Sequence, residues 1–135
     1  MYNLVPIRDS KIKIIDGDRG KSYPKQNDFS NEGFCLFLNA KNVTGTGFNF
    51  ESTMFISEER DNLMRKGKLQ RGDIVLTTRG TVGNVGLYDN TIPYHNIRIN
   101  SGMVIMRIND ETFSEEYLYF LMRSPFVQNQ INLIK

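Results

Sequence analysis

Residues 71–89 read RGDIVLTTRGTVGNVGLYD, and the rest of the chain is organised around them. An apolar run at residues 74–76 leads into a glycine-containing break at residues 79–83. Val85 and Leu87 then alternate with small or polar residues. Two β-like runs joined by a short turn with glycines predict a β-hairpin. We therefore expect a hairpin whose turn displays Arg79 to a partner.

Other segments predict further strands on both sides of this hairpin. The apolar or alternating runs are Ile12 with Ile14 and Ile15, residues 33–38, residues 48–56 as a pair of short strands, residues 97–100 as an edge strand, and residues 102–108. The run 102–108 is the expected companion of residues 74–76. The run 33–38 is apolar throughout, which is typical of a strand that is buried on both faces.

Three segments predict helices. Ser57 and Ser114 are suitable N-caps for helices over residues 57–67 and 114–124, and Pro125 is a favoured first residue for a third. Residues 117, 118, 121 and 122 form an apolar stripe, which we expect to face the core. The third helix has no capping residue before Lys135, so we expect it to continue into a longer helix.

The order of these elements predicts an α+β fold in one globular domain. It has a twisted, mostly antiparallel or mixed β-sheet and two or three peripheral helices. Residues 1–124 would form the domain, and residues 125–135 the start of the C-terminal helix. A chain of 135 residues is of ordinary size for one domain.

Composition excludes few partners. The formal net charge is only +2, although residues 1–25 hold six basic and three acidic residues. The single Cys35 excludes an internal disulfide and favours a reducing, cytoplasmic location. We identify no signal peptide, and no run approaches the roughly 20 apolar residues of a membrane span.

Catalytic and metal-binding patterns are not found in the sequence. His95 is the only histidine and has no cysteine at ligand spacing, so a metal site is not expected. Asp73 and Asp89 flank the hairpin and are more typical of turns than of a carboxylate pair. The sequence around Gly20 lacks the first glycine of a phosphate-binding loop. We expect a binding protein with no catalytic residues and no cofactor of its own.

Polar side chains that follow predicted strands are the candidates for binding. Asn39, Lys41 and Asn42 follow the buried strand 33–38, and such side chains are able to contact base edges or phosphates. A turn in which asparagine side chains bond to their own backbone is an equal alternative. Arg79 has a planar guanidinium suited to guanine or phosphate, and the glycines beside it permit close approach of the backbone.

Several phrases occur together in one order: IDGDRGKSYP at residues 15–24, FLNAKNV at 37–43, RGDIVL at 71–76 with RGTVG at 79–83, RINSG at 98–102, and YLYFLMRS at 117–124. Over residues 12–135 the chain resembles a target recognition domain of the DNA specificity (HsdS) subunit of type I restriction–modification enzymes. The chain departs from that family's plan because it holds one recognition domain and no spacer helix.

This resemblance implies sequence-specific recognition of double-stranded DNA, one half of a bipartite target, without catalysis by this chain. It implies methyltransferase and restriction subunits as partners, with S-adenosylmethionine, ATP and Mg²⁺ bound only by those subunits. The alternative is a protein-interaction module that docks on a methyltransferase subunit without reading bases. The residues expected to contact DNA are Lys21, Tyr23, Lys25, Asn39, Lys41, Asn42, Arg79, Thr81, Asn84 and Arg98.

Overall fold

The computed structural model of the protein describes residues 12–108 and 114–134. Parts of the predicted domain, residues 1–11 and 109–113, lie outside the described residues. The α+β class is confirmed, and within the described residues the strands divide among three sheets. The strands are β1 Ile12–Asp16, β2 Cys35–Phe37, β3 Val43–Thr44, β4 Gly47–Phe48, β5 Phe55–Ile56, β6 Ile74–Thr77, β7 Val85–Leu87, β8 Ile97–Arg98 and β9 Met103–Ile108. The helices are α1 Glu58–Leu63, α2 Glu115–Arg123 and α3 Pro125–Ile134.

The largest sheet contains the predicted hairpin. Its strand order is β1-β9-β6-β7, and every pairing is antiparallel. Ile74 of β6 lies opposite Leu87 of β7 on one side and Met106 of β9 on the other. The hairpin and the pairing of residues 74–76 with the run 102–108 are therefore confirmed. β6 is central and its Ile74 and Val75 are fully buried, as its apolar run indicates.

A second sheet has the order β5-β2-β8, in which β2 pairs antiparallel with β5 and parallel with β8. All three residues of β2 are buried, as predicted for a fully apolar run. β3 and β4 form a separate two-stranded sheet. The two short strands expected within residues 48–56 correspond to β4 and β5, of which β4 pairs with β3 and β5 pairs with β2.

Helix α1 begins as predicted and ends early. Ser57 Oγ accepts a hydrogen bond from Arg60 N at 3.1 Å, which caps the first turn. The helix ends at Leu63, four residues before the predicted end at Gly67. Met64 instead adopts an extended conformation and is buried against Phe37 and its neighbours. Burial of this side chain outweighs the helical preference of the residues that follow.

Helices α2 and α3 follow one another with a break at Ser124, whose backbone is extended. Ser114 Oγ accepts a hydrogen bond from Tyr117 N at 3.0 Å, so the predicted cap is confirmed. Leu118 and Met122 are buried, whereas Tyr117 is 50% exposed. Only part of the predicted stripe therefore faces the core. No helix in the described part of the chain is long and apolar enough to cross a membrane.

The main core lies between the two larger sheets and holds them in a fixed relation. Leu36 of β2, Val75 of β6, Ile97 of β8 and Ile105 of β9 are all fully buried in one cluster. The loops that follow β1, β2 and β6 and that precede β9 therefore extend from one packed framework. Loops on a rigid scaffold are where binding residues are commonly placed.

Candidate nucleic-acid interface

The turn between β6 and β7 is held rigidly by Thr77 at its base. Thr77 is buried, and its Oγ accepts a hydrogen bond from Asn84 N at 2.9 Å and donates one to Thr81 O. Gly80 and Gly83 have φ values of +72° and +99°, in the region that favours glycine. Arg79 and Thr81 are exposed at the tip of this turn. The predicted display of Arg79 thus matches the geometry.

Helix α3 packs against the same turn. Gln128 Nε2 donates hydrogen bonds to Gly83 O at 2.9 Å and to Met122 O at 2.8 Å. A Cβ atom added to Gly83 would lie only 3.3 Å from Ile131 Cγ2, so the helix and the turn are in close contact. Nothing in the sequence pattern singles out Gln128, because its partners are 45 and 6 residues away.

The exposed turn borders a cavity of about 270 Å³, which we name the turn cavity. Its lining includes Arg79 and Thr81 of the turn, Asn100 and Ser101 of the loop before β9, and Ala40 of the segment after β2. The backbone joins these loops, since Thr78 N and Arg79 N donate to Gly102 O at 2.8 and 3.2 Å. Three loops that are far apart in sequence therefore meet at one place. Asn100 and Ser101 belong to the quoted phrase RINSG but were not among the expected contact residues.

The segment after β2 forms the asparagine-bonded turn that was the alternative interpretation. Asn39 Oδ1 accepts a hydrogen bond from Lys41 N at 2.8 Å, and Asn42 Oδ1 accepts one from Asn39 N at 2.9 Å. Asn42 is completely buried, and its Nδ2 donates to Asn49 O and Ser52 O at 2.9 and 2.8 Å. Asn42 therefore has no free donor for a ligand. The turn it builds leaves Lys41 exposed, and the preceding Ala40 lines the turn cavity.

Two further expected contact residues are half-buried and have partners within the fold. Asn84 Nδ2 donates a hydrogen bond to Val43 O at 3.0 Å, which ties the turn to β3. Tyr23 Oη accepts a hydrogen bond from Ser101 N at 3.2 Å, and its ring packs against the edge of Phe37. Both side chains position loops around the turn cavity.

Arg98 was expected to contact DNA, but the structure places it in the interior. Arg98 is 5% exposed and forms an ion pair with Asp61, which is 4% exposed. Its guanidinium also donates to the carbonyl oxygens of Asp61, Met64 and Lys66 at 2.9 to 3.3 Å. These carbonyls lie at and just after the end of α1, where helices leave acceptors unpaired. Arg98 therefore ends a helix and is not accessible to a ligand.

Lys21 and Lys25 are exposed, as expected for contact residues. Lys25 N donates a hydrogen bond to Asp28 Oδ2 at 2.7 Å in a short 3-10 turn. This bond uses the backbone of Lys25 and not its ammonium group. Lys21 lies in the loop after β1, and the neighbouring Arg19 donates a hydrogen bond from Nη2 to Ser101 O at 3.3 Å. The loop of Lys21 is thus adjacent to the turn cavity.

Cys35 and His95 carry reactive groups, and both belong to the structural framework. Burial raises the pKa of the Cys35 thiol to about 12, and the side chain is not exposed at all. His95 Nδ1 lies 3.4 Å from Arg71 Nη2, in a loop that Arg71 fastens by hydrogen bonds to three backbone carbonyls. Among the described residues no group of three His, Cys, Asp or Glu side chains is arranged to hold a metal ion.

No protein-family model matches the sequence, and no curated protein matches it either. The HsdS subunit from Thermoanaerobacter tengcongensis superposes on 89% of this chain with a TM-score of 0.62 and 16% sequence identity. A chain from a structure of complex assembly and conformational transition in the type I R-M system superposes on 86% with a TM-score of 0.55 and 16% identity.

Each of these chains is much longer than this one, which covers 26% of the first and 27% of the second. At 16% identity the likeness concerns the fold. The expectation from the quoted phrases is confirmed at that level: this chain has the fold of one part of an HsdS subunit.

Proposed function

We propose that the chain is a target recognition domain that reads one half of a bipartite sequence in double-stranded DNA for a type I restriction–modification complex. The exposed Arg79 and Thr81, which line the turn cavity, carry this proposal together with the exposed Lys41, which follows the lining residue Ala40. Arginine and lysine reach guanine or phosphate, and threonine hydroxyls contact either bases or phosphates. The likeness in fold to the HsdS subunit supports the same conclusion.

The proposed division of labour assigns no reaction to this chain. Methylation and cleavage belong to methyltransferase and restriction subunits, which bind S-adenosylmethionine, ATP and Mg²⁺. The complex acts in the cytoplasm. Of the residues expected from the sequence, we retain Arg79, Thr81, Lys41, Lys21 and Lys25 as contacts. The sequence expectation also included Tyr23, Asn39 and Asn84, which are assigned here to loop geometry, and Asn42 and Arg98, which are buried.

The test is selection of duplexes from a library with a randomised central segment, using the full-length protein with the subunits that co-purify with it. Replacing a base-reading arginine costs about 1–3 kcal/mol and relaxes one position of the selected sequence. We expect Arg79→Ala to do so. Arg79→Lys is the matched variant, because it keeps the charge and loses the planar fork.

Equal base preference of wild type, Arg79→Lys and Arg79→Ala at every position would contradict the assignment of Arg79 as a base reader. Failure of the wild-type protein to enrich any sequence would contradict the proposed function as a whole. A loss of affinity shared by all sequences in Arg79→Ala, but not in Arg79→Lys, would make Arg79 a phosphate contact instead.

A second candidate function is docking on a methyltransferase subunit without base readout. It is favoured by the exposed apolar side chains of α2 and α3, where Phe120 and Phe126 are 68% and 65% exposed. Exchange of this domain for that of a protein with a different DNA target separates the two functions. Altered base preference supports DNA reading, and an unchanged preference with an intact complex supports docking.

A further inference from the structure

A broad groove of about 810 Å³ lies beside the loop that follows β1, and we name it the basic groove. Four cationic side chains line it, and two of them come from the loop after β1 and two from the segment after α1. They are Arg19, Lys21, Arg65 and Lys66, and they share the groove with Asp16 and Asp18. Only Lys21 was among the residues expected from the sequence.

Asp18 connects the two segments that supply these cations through hydrogen bonds from their backbones. It is 6% exposed, and its two oxygens accept hydrogen bonds from Arg65 N at 2.8 Å and Gly20 N at 2.7 Å. The bond from Arg65 N, followed by that from Gly20 N, lowers the pKa of the Asp18 carboxyl. The ionised carboxylate thus holds the two cationic segments together through their backbones.

The cationic side chains are available for a ligand. Arg19, Lys21, Arg65 and Lys66 are all exposed. Within the described residues, no hydrogen bond or ion pair engages the ammonium groups of Lys21 and Lys66. Four cations against two carboxylates leave the groove with an excess of positive charge, and one of the carboxylates is turned to the backbone.

The basic groove is joined rigidly to the turn cavity through residues 99–101. Ser101 lines the turn cavity, and its backbone O and N bond to Arg19 Nη2 and Tyr23 Oη. A Cβ atom added to Gly17 would lie 2.6 Å from Asn100 O, so the loop after β1 packs directly on this segment. A ligand bound along the groove is thereby held at a fixed position relative to Arg79.

We propose that the basic groove binds backbone phosphates of the same duplex whose bases are read at the turn cavity. This inference rests on the proposed function and adds to it a phosphate-binding subsite made of Arg19, Lys21, Arg65 and Lys66. Several separated cations suit the repeated charges of a DNA backbone better than one small anion. Phosphate contacts fix register and orientation on the duplex, and base contacts supply sequence specificity.

The experiment measures the salt dependence of DNA binding by the full-length protein with the subunits that co-purify with it. The test variant carries both Lys21→Ala and Lys66→Ala. The matched control is Lys13→Ala, because Lys13 is an exposed residue of β1 that does not line the groove. The probes are a duplex selected from the randomised library and a pool of unselected duplexes. Each lost phosphate contact reduces the slope of log K against log salt by about 0.9.

We therefore expect the double variant to lose about 1.8 units of slope, with a similar fold-loss of affinity for both probes, and Lys13→Ala to match wild type. Urea midpoints equal to wild type confirm that these exposed substitutions leave the fold intact. An unchanged slope in the double variant, while Arg79→Ala still alters base preference, overturns the groove assignment and leaves the proposed function standing. Weakening confined to the selected duplex overturns it also, because the lysines would then read bases. If the wild-type protein distinguishes no sequence, the proposed function itself fails.

Discussion

Replacing Arg98 with methionine separates a structural role from a DNA contact. In the wild type, Arg98 neutralises Asp61 and donates to three carbonyl oxygens at and after the end of α1. The variant leaves the buried Asp61 carboxylate with Lys68 as its remaining ionic partner. Removing one partner of a buried ion pair costs about 3–5 kcal/mol, because the other charge remains in a poorly hydrated site. We expect a loss in that range.

Urea denaturation followed by circular dichroism measures this loss. With an m-value of about 2 kcal/mol per molar urea, a loss of about 4 kcal/mol lowers the midpoint by about 2 M. Arg79→Met is the control, because Arg79 is exposed at the turn and its guanidinium forms no ion pair with another described residue. Exposed substitutions of this kind usually change stability by less than about 0.5 kcal/mol.

The loss also depends on pH in a defined direction. Burial raises the pKa of Asp61, but hydrogen bonds from Lys68 and Arg98 outweigh it and hold the pKa below the ordinary value of 3.8. A carboxyl with a lowered pKa stabilises the fold above its unfolded-state pKa, and this contribution is lost as the pH falls through the folded-state pKa. The difference between wild type and Arg98→Met should therefore be largest near neutral pH and should shrink below about pH 4.

A stability of Arg98→Met close to that of wild type, or a change in its base preference, would refute this reasoning. If Arg98→Met were within about 1 kcal/mol of wild type in stability, the buried ion pair would not hold the end of α1. If the folded variant also changed base preference in the library selection, Arg98 would be a contact residue after all.

Two further predictions concern the turn and the core. Gly80→Ala should cost about 1–2 kcal/mol for its left-handed backbone alone, because its added methyl group meets open space. Gly83→Ala should lower the free energy of unfolding by about 1–3 kcal/mol more than Gly80→Ala. Its methyl group would press on Gln128 and Ile131 at 3.2 and 3.3 Å. Equal urea midpoints for the two variants would contradict the contact with α3. Cys35, which is fully buried with a pKa near 12, should react with iodoacetamide at neutral pH only after unfolding, and mass spectrometry of the native protein would reveal any labelling.

The parts of the fold that the sequence predicts are those set by local patterns. The apolar run of β6, the glycines of the following turn and the run of β9 specify the central sheet through alternation and turn chemistry. Ser57 and Ser114 mark helix starts because a cap bonds three residues ahead. The predicted end of α1 was wrong because Met64 is buried by residues that are remote in sequence. No pattern within the helix reveals that burial.

The site was only partly predictable for the same reason. The exposed tip of the turn follows from Gly80 and its neighbours, so the exposure of Arg79 could be predicted from the sequence. The burial of Arg98 depends on Asp61, 37 residues earlier, and a polar residue inside a strand pattern gives no sign of such a partner. Asn42 likewise takes its acceptors from residues 49 and 52. Residue type alone does not distinguish a buried donor from an exposed one.

Under the proposed function, the arrangement of these donors lets the surface change its DNA target without losing its fold. Asn42, Asn84 and Arg98 use their side chains to fix loop backbones, so their replacement would disturb the framework. Arg79 and Thr81 extend from the framework into solvent, and their side chains form no ion pair or core contact with the residues that the structure describes. Substitution at these tips should alter recognition at small cost in stability, because surface changes away from buried networks are nearly neutral. Under the proposed function, specificity is therefore carried by the residues that the fold needs least.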